Sequence, residues 1–395
     1  MRTSKRTAAV VGTGFIGPVH LEALRRIGID VKGMLGSTPA KGAMAKDRFG
    51  LAKAYATYEE ILADNEVDVV HITSPNRYHR AMVAGAIDAG KHVVCEKPLA
   101  TTSAETFELL DLAARNPLLV TAVNYNVRFY PLALHARNLI QSGALGPVMS
   151  VRGDYSQDWL LKETDWNWRL LPDEGGELRA VGDIGTHWMD LILFLTDLEI
   201  DSVFADLATL IPVRLRPKGA LSTFQMDDPG ERRVESEPVE IRTEDWGSIL
   251  FRFSNGARGA MGVSQVTAGR KNRITFEIAC ARASLAWDSE HPNDLWIGHR
   301  DKPNELLIRD PSLLAPEIRA FASYPGGHNE GFPDTFKQLY RAIYDYLAEK
   351  DHSRPKLFAS FADGHREMVL CEAILKSHRT ERWVRVTKEV NLNDQ

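Results

Sequence analysis

Along residues 1–125, short apolar runs alternate with stretches whose apolar positions recur at helical spacing. Thr7–Gly12, Val31–Leu35, Val67–Thr73, His92–Cys95 and Leu118–Asn124 read as strands. Helices are predicted over Phe15–Ile27, Pro39–Phe49, Tyr78–Ala89 and Ser103–Arg115. The strand runs lack strict alternation, which suits strands covered on both faces. A parallel sheet flanked by helices, with right-handed crossovers, follows from that order.

After Tyr125 the rhythm changes. A helix over Pro131–Ser142, a strand over Val148–Tyr155 and a helix over Asp183–Leu195 come first. Strands follow at Ser202–Leu210, Trp246–Phe253, Ala257–Gln265, Arg273–Ala279, Ala283–Trp287 and Asp294–Ile297, and helices near Phe332–Lys350 and Phe361–His378 close the chain. Runs of strands predict a mixed or antiparallel sheet, so the fold class is α/β over residues 1–125 with an α+β second domain over 126–395. Arg214–Asp245, charged and rich in Pro and Gly, reads as a solvated loop.

A chain of 395 residues exceeds the usual single core, which supports two domains. A net charge of −5 offers no basic footprint for nucleic acid. No apolar run approaches the roughly 20 residues a membrane helix needs. The basic start, Met1–Arg6, precedes an apolar run, Ala8–Val11, that leads straight into a glycine motif; cleavage there would destroy that motif, so a first strand is expected rather than a signal peptide. Cys95, Cys280 and Cys371 suit neither a disulfide framework nor a zinc cluster, which points to the cytoplasm.

The motif is Gly12-Thr-Gly14-Phe15-Ile16-Gly17, between a strand and a helix. Gly12 permits the tight turn, Gly14 lets backbone approach a pyrophosphate, and Gly17 lets helix and strand pack closely. The helix N-terminus adds free N–H groups for an anion. At the end of the second strand, where an acid would select NAD, stand Gly36, Ser37 and Thr38 with Lys41 nearby, so NAD and NADP both remain open. The next strand ends in Thr73-Ser-Pro75-Asn76, expected to line the cofactor groove, with helix capping an additional role for Asn76. His79 stands at that groove's edge, an ordinary helix-surface position being the competing reading.

Glu96-Lys97-Pro98 follows a further strand at the same crevice edge. Lys97 there can stabilise a developing alkoxide and bond a cofactor ribose; a solvent-facing lysine is the alternative. A cis bond before Pro98 is expected. Asp183 and His187, four apart, share one helix face, and Gly185 between them would admit substrate or nicotinamide to the backbone. Histidine suits removal of a hydroxyl proton, with Asp190 one turn on to orient it or to cap an internal network. An N-cap aspartate with a satisfied core histidine is the alternative, and a zinc pair is weaker still because no further His/Cys cluster has ligand spacing; no metal is expected.

These stretches, with Arg128-Phe-Tyr-Pro131 and Gly182-Asp-Ile-Gly-Thr-His187-Trp-Met-Asp190, resemble the glucose–fructose oxidoreductase, inositol dehydrogenase and MocA family. The resemblance implies a Rossmann domain, an open-faced second sheet that mediates a homo-oligomer (dimer or tetramer), and Lys97, Asp183 and His187 as the catalytic set. It also implies a sugar, inositol or related polyol as substrate, with Asn124, Tyr125 and Arg128 beside it.

Residues 155–169 are rich in aromatics: Tyr155, Asp158 and Trp159, then Trp166, Trp168 and Arg169. Trp faces stack on sugar rings and polar neighbours meet hydroxyls, whereas an aromatic core patch is the structural alternative. Arg169 and Arg179 could instead bind an acidic group, and His328 could also reach the site. The expected activity is hydride transfer between a nicotinamide and a ring hydroxyl carbon. A redox-assisted glycosidase, with no net cofactor turnover, and a non-catalytic cofactor-binding sensor are the rivals.

Overall fold

The structure is a computed structural model that describes residues 6–218, 235–349 and 354–387. Strands β1 (Thr7–Val11), β2 (Asp30–Leu35), β3 (Lys53–Tyr55), β4 (Val69–Ile72), β5 (His92–Cys95) and β6 (Thr121–Val123) pair in parallel in the order β3-β2-β1-β4-β5-β6. Helices α1 (Ile16–Arg26), α2 (Pro39–Phe49), α3 (Tyr58–Leu62), α4 (His79–Asp88) and α5 (Ser103–Arg115) connect them. Ala8, Val10, Val69, Val70, Val93 and Val94 are fully buried on both faces of the sheet, which is why these strands read as continuous apolar runs. Strand order reverses between β1 and β4, and this opens a crevice at their C-terminal ends.

The second layer contains α6 (Pro131–Gln141), β7 (Val148–Ser156), the short α7 (Pro172–Gly175) and α8 (Thr186–Thr196). After them come β8 (Ile200–Ala208), β9 (Val213–Pro217), β10 (Ser236–Glu240), β11 (Trp246–Phe253), β12 (Arg258–Ser264), β13 (Arg273–Cys280), β14 (Ser284–Asp288), β15 (Asp294–Gly298) and β16 (Glu305–Ile308). Helices α9 (Phe332–Ala348) and α10 (Phe361–Thr380), and β17 (Val384–Arg385), complete the described chain. Nine of these strands form one mixed sheet in the order β16-β15-β14-β13-β7-β12-β11-β8-β17, with β7 and β12 parallel. In β11 and β13 every second residue is buried, because helices cover one face and leave the other open.

Three features depart from expectation. β3, β16 and β17 were unforeseen: they have two to four residues each, too few to show a period. Segment 214–245 is not simply a solvated loop. Its described ends pair as the ribbon β9–β10, and Arg214, Thr243, Glu244 and Asp245 are buried; residues 219–234 lie outside the described residues. Arg214 and Asp245 read as surface charges but neutralise one another inside the protein, while Arg216, Lys218 and Arg242 stay exposed. Finally, Val181–Gly185 forms a π turn ahead of α8, not the first turn of an α-helix.

The chain's end returns to the first sheet. α9 packs on α1, α10 packs on α5, and the Val123 N–H donates to the Ala359 carbonyl. Among the described residues no helix is long and apolar enough to cross a membrane.

Candidate active site

The glycine turn has the shape a dinucleotide requires. Gly12 has φ +116°, and a Cβ there would stand 2.7 Å from the Thr73 carbonyl oxygen. A Cβ on Gly17 would meet the Gly12 carbonyl oxygen at 2.1 Å, whereas one on Gly14 would meet nothing within 4 Å. Gly12 and Gly17 are therefore fixed by the protein, and Gly14 faces open space. α1 begins without a side-chain cap or an acid in its first turn, so its N-terminal N–H groups suit a pyrophosphate. Phe15 is exposed there, while Ile16 packs its side chain on the core. Thr38 caps α2 by accepting from the Lys41 N–H, and Lys41 Nζ donates to Ser37 at 3.2 Å. No carboxylate stands among Gly36, Ser37 and Thr38 at the end of β2.

Thr73, at the end of β4, donates to the Val11 carbonyl and braces the turn. Asn76 donates to the Gly175 carbonyl at 2.9 Å, and Arg77 pairs with Glu174, so α7 closes over the groove wall. His79 is neither on the surface nor open to a cofactor. Burial and two backbone carbonyls, Pro98 and Ser74, occupy it, and it ties the two crevice loops together. Pro75 leads into this short helical turn.

β5 delivers Glu96 and Lys97, and the Lys97–Pro98 bond is cis. Glu96 is buried, and one of its oxygens meets His20 of α1 at 2.9 Å and Asn124 at 2.6 Å. Burial would push its carboxyl up, yet the His20 contact and the Lys97 charge hold it below the ordinary value. His20 in turn contacts His71 of β4. Neither histidine stands out in the sequence, since His20 lies within a helical pattern and His71 within an apolar strand.

Lys97 Nζ donates to Asp183 Oδ1 at 2.8 Å and to the Asp183 carbonyl at 2.6 Å. Arg169 Nε reaches the same carboxylate at 3.2 Å, and Gln265 Nε2 reaches its other oxygen at 3.0 Å. Burial would raise the Asp183 carboxyl, but Lys97 and Arg169 overcome it and hold the group well below the usual carboxylate range. His187, one turn later, lies edge-on to Tyr125 with ring centroids 5.6 Å apart and 6.1 Å from Tyr155. Burial first, and the Lys97 charge second, pull its pKa down to about 3, so the imidazole is neutral. His187 Nδ1, Asn124 Oδ1 and Gln265 Oε1, on the residues that adjoin Asp183 or Glu96, are buried without a hydrogen-bond partner among the described residues, which leaves them for a ligand or solvent. Gln265, at the end of β12, was missed because its partner is remote in sequence.

Several expected substrate residues serve the framework instead. Arg128 is buried and bonded to Asp190 and Asp363, so Asp190 caps this internal network rather than orienting His187. Arg179 is buried against Asp245, which also holds Arg214. Gly185 faces Met261 and Val181 in the core, not a ligand. His328 precedes α9, and its ring nitrogen meets the Gly326 carbonyl of its own loop at 3.3 Å. Trp159 and Trp166 pack on a satellite core of Leu160, Leu170 and Ile241. Asp158 is engaged by Lys271 and the Gly269 N–H. Nearer the site, Trp168 lies under Arg169 at 4.3 Å, and the Tyr155 hydroxyl and Gln157 both donate to Asn272.

Glu244 fixes the approach to Asp183. Its carboxylate accepts the N–H groups of Arg179 at 2.9 Å and Val181 at 2.8 Å, on either side of Ala180. Glu244→Ala should lower unfolding stability by about 2–4 kcal/mol, since two buried donors lose their acceptor. Burial raises the Glu244 pKa to about 7. The folded state therefore binds the extra proton between the ordinary carboxyl pKa and 7, and stability falls as pH rises through that window. Urea titrations at pH 5 and pH 8 should show this difference in the wild type and a smaller one in Glu244→Gln.

Residues 6–125 match the family model described as "Oxidoreductase family, NAD-binding Rossmann fold", and residues 133–286 match the GFO/IDH/MocA C-terminal domain. The levoglucosan dehydrogenase of Pseudarthrobacter phenanthrenivorans is 29% identical over 95% of this chain and 97% of its own. An uncharacterised oxidoreductase of Synechocystis is 33% identical over 96% of each chain. Among solved structures, levoglucosan dehydrogenase in complex with NADH and L-sorbose superposes with a TM-score of 0.84 at 27% identity, covering 97% of this chain and 99% of that one.

Proposed function

On the premise that this chain belongs to the GFO/IDH/MocA family of NAD-binding oxidoreductases, we propose that it oxidises or reduces one ring carbon of a sugar, glycoside or inositol. The observation that carries the reading is the convergence of Lys97, Arg169 and Gln265 on Asp183, one helix turn from a neutral His187, beside the glycine turn. A bound nicotinamide supplies the hydride acceptor or donor. His187 accepts the proton of the substrate hydroxyl at a ring nitrogen, and its neutral state leaves that nitrogen free to do so. Lys97 places its ammonium where negative charge develops on the substrate oxygen, and Asp183 holds that ammonium in position. The void before Asp183, between Asn76, Arg169 and Gly175, is only about 10 Å³, smaller than a sugar ring. Trp168, under the Arg169 guanidinium, offers a ring face to the incoming sugar.

The names of relatives, levoglucosan dehydrogenase and inositol 2-dehydrogenase among them, favour a neutral cyclic polyol. Incubating the protein with NAD and a panel of anhydrosugars, aldoses, inositols and glycosides should give NADH absorbance in step with oxidised product. Release of an aglycone without net NADH would replace this reading with the redox-assisted glycosidase, and binding without hydride exchange would replace it with the sensor.

The open face of the mixed sheet is the expected surface of a homo-oligomer. Leu250, Trp296 and Leu306 are exposed on it, and register places them in one row with the Arg152–Glu277 pair at its centre. Leu250→Glu with Trp296→Glu should shift the sedimentation coefficient to that of a monomer; an unchanged value would exclude this face. Three free, buried cysteines accord with a cytoplasmic setting.

A further inference from the structure

A bowl of about 390 Å³ opens between α6, the C-terminal end of α8 and the chain entering α10. Its walls share no residue with the glycine turn or with Lys97, Asp183 and His187. Five cationic side chains line it against two acids, Asp197 and Asp363. Asp363 is taken up by Arg128 at 3.0 Å and Arg366 at 3.2 Å, and Arg354 pairs with Glu349.

Two cations have only a distant carboxylate among the described residues, Asp197 for Arg137 and the already engaged Asp363 for Lys356. Arg137 lies over the Phe194 ring at 4.2 Å and meets the neutral Gln141 carboxamide, and Lys356 stands 5.7 Å from the Tyr346 ring. Neither forms an ion pair with a carboxylate among the described residues. A half-buried charge without a partner is costly, and burial pulls the Arg137 guanidinium below its ordinary value while Asp197 offsets only part of this. Leu193, Phe194 and Phe358 give the same bowl an apolar floor.

We propose that this bowl is a second ligand site, which takes a small molecule bearing a phosphate monoester, with Arg137 and Lys356 as its charge contacts. A phosphate monoester is close to a dianion at neutral pH and matches two cations that form no ion pair among the described residues. Guanidinium presents paired donors to phosphate oxygens, and the ammonium acts as a point charge beside it. The cavity exceeds a free anion and falls in the range of roughly 300–1,000 Å³ common to small-molecule sites, so the apolar floor is left for the organic part of the ester. None of this depends on the reaction assigned to the crevice.

The test is isothermal titration of the whole chain with glucose 6-phosphate and with inorganic phosphate, using glucose as the neutral control at matched ionic strength. Glucose 6-phosphate should bind where glucose gives no comparable signal. The double variant Arg137→Ala, Lys356→Ala should weaken glucose 6-phosphate binding by about tenfold or more, with NADH affinity unchanged. Lys356→Ala alone alters an exposed side chain, and should weaken binding measurably even if the double variant folds poorly. Tighter binding of the ester than of inorganic phosphate upholds the proposal, whereas equal binding assigns the bowl to free phosphate and overturns the ester. Absence of binding by either probe, or undiminished affinity in the variants, overturns it. So does a changed sedimentation coefficient in Lys356→Ala without loss of phosphate binding, which would make the bowl an interface between copies.

Discussion

His187→Ala should lower turnover by about 10²–10⁴-fold, the range for loss of a positioned proton acceptor, while NADH affinity stays within about twofold of wild type. The separation follows from the structure. His187 sits at the start of α8, against Tyr125 and Tyr155, and the glycine turn is built by β1, α1 and Thr73 without it. Steady-state kinetics with the sugar identified by the panel, together with NADH fluorescence titration, check both halves. Wild-type turnover in this variant would remove His187 from the chemistry. The same residue makes a pH statement. With its pKa pulled down to about 3, His187 stays neutral in the free enzyme through the physiological range, so kcat/KM should show no inflection near 6.5 from this group. Between about 3 and 6.5 the unfolded chain binds the proton that the folded chain refuses. This group's contribution to stability therefore rises with pH across that interval, by about 1.4 kcal/mol per unit of pKa difference at most, and His187→Ala should flatten the rise.

Gly12→Ala should weaken NADH binding by about a hundredfold or more and lower the melting temperature as well. At φ +116° an L side chain is strained, and the new Cβ would lie 2.4 Å from Thr73 Oγ1 and 2.7 Å from the Thr73 carbonyl oxygen. The hydroxyl could rotate away. The carbonyl belongs to backbone that Thr73 shares with β4, so the whole turn must move. Gly14→Ala is the contrast: its Cβ meets no protein atom within 4 Å, so the variant should melt like wild type and yet lose NADH affinity, because the methyl occupies the space a pyrophosphate needs. A Gly14→Ala protein that bound NADH normally would show that the cofactor lies elsewhere.

The proposed catalytic set was legible because each member lies in a contiguous stretch that also signals its own local structure. Glu96-Lys97 follows an apolar strand, and Asp183 and His187 open a helical run, so strand ends and helix starts could be read without knowing the fold. The π turn at Val181–Gly185 was not legible, since nothing in its composition distinguishes an i→i+5 turn from an α-helical one. The aromatic stretch was ambiguous for a similar reason: Trp159 and Trp166 serve a small core with Ile241, which reaches them only through the β9–β10 ribbon.

What the chain settled by itself is whatever has a short period or a fixed turn: the parallel order of strand and helix, the glycine bend, the lysine at a strand's end. Periodicity and turn geometry are local, and handedness then limits how the pieces connect. What only the tertiary structure decided is the fate of the charges. Arg128 finds Asp190 62 residues away and Asp363 235 residues away, Arg179 finds Asp245 at a separation of 66, and Gln265 reaches Asp183 across 82. A guanidinium looks the same in sequence whether it will greet a substrate or lock a core. Desolvation and the partner that compensates it make the difference, and both are properties of the packed molecule.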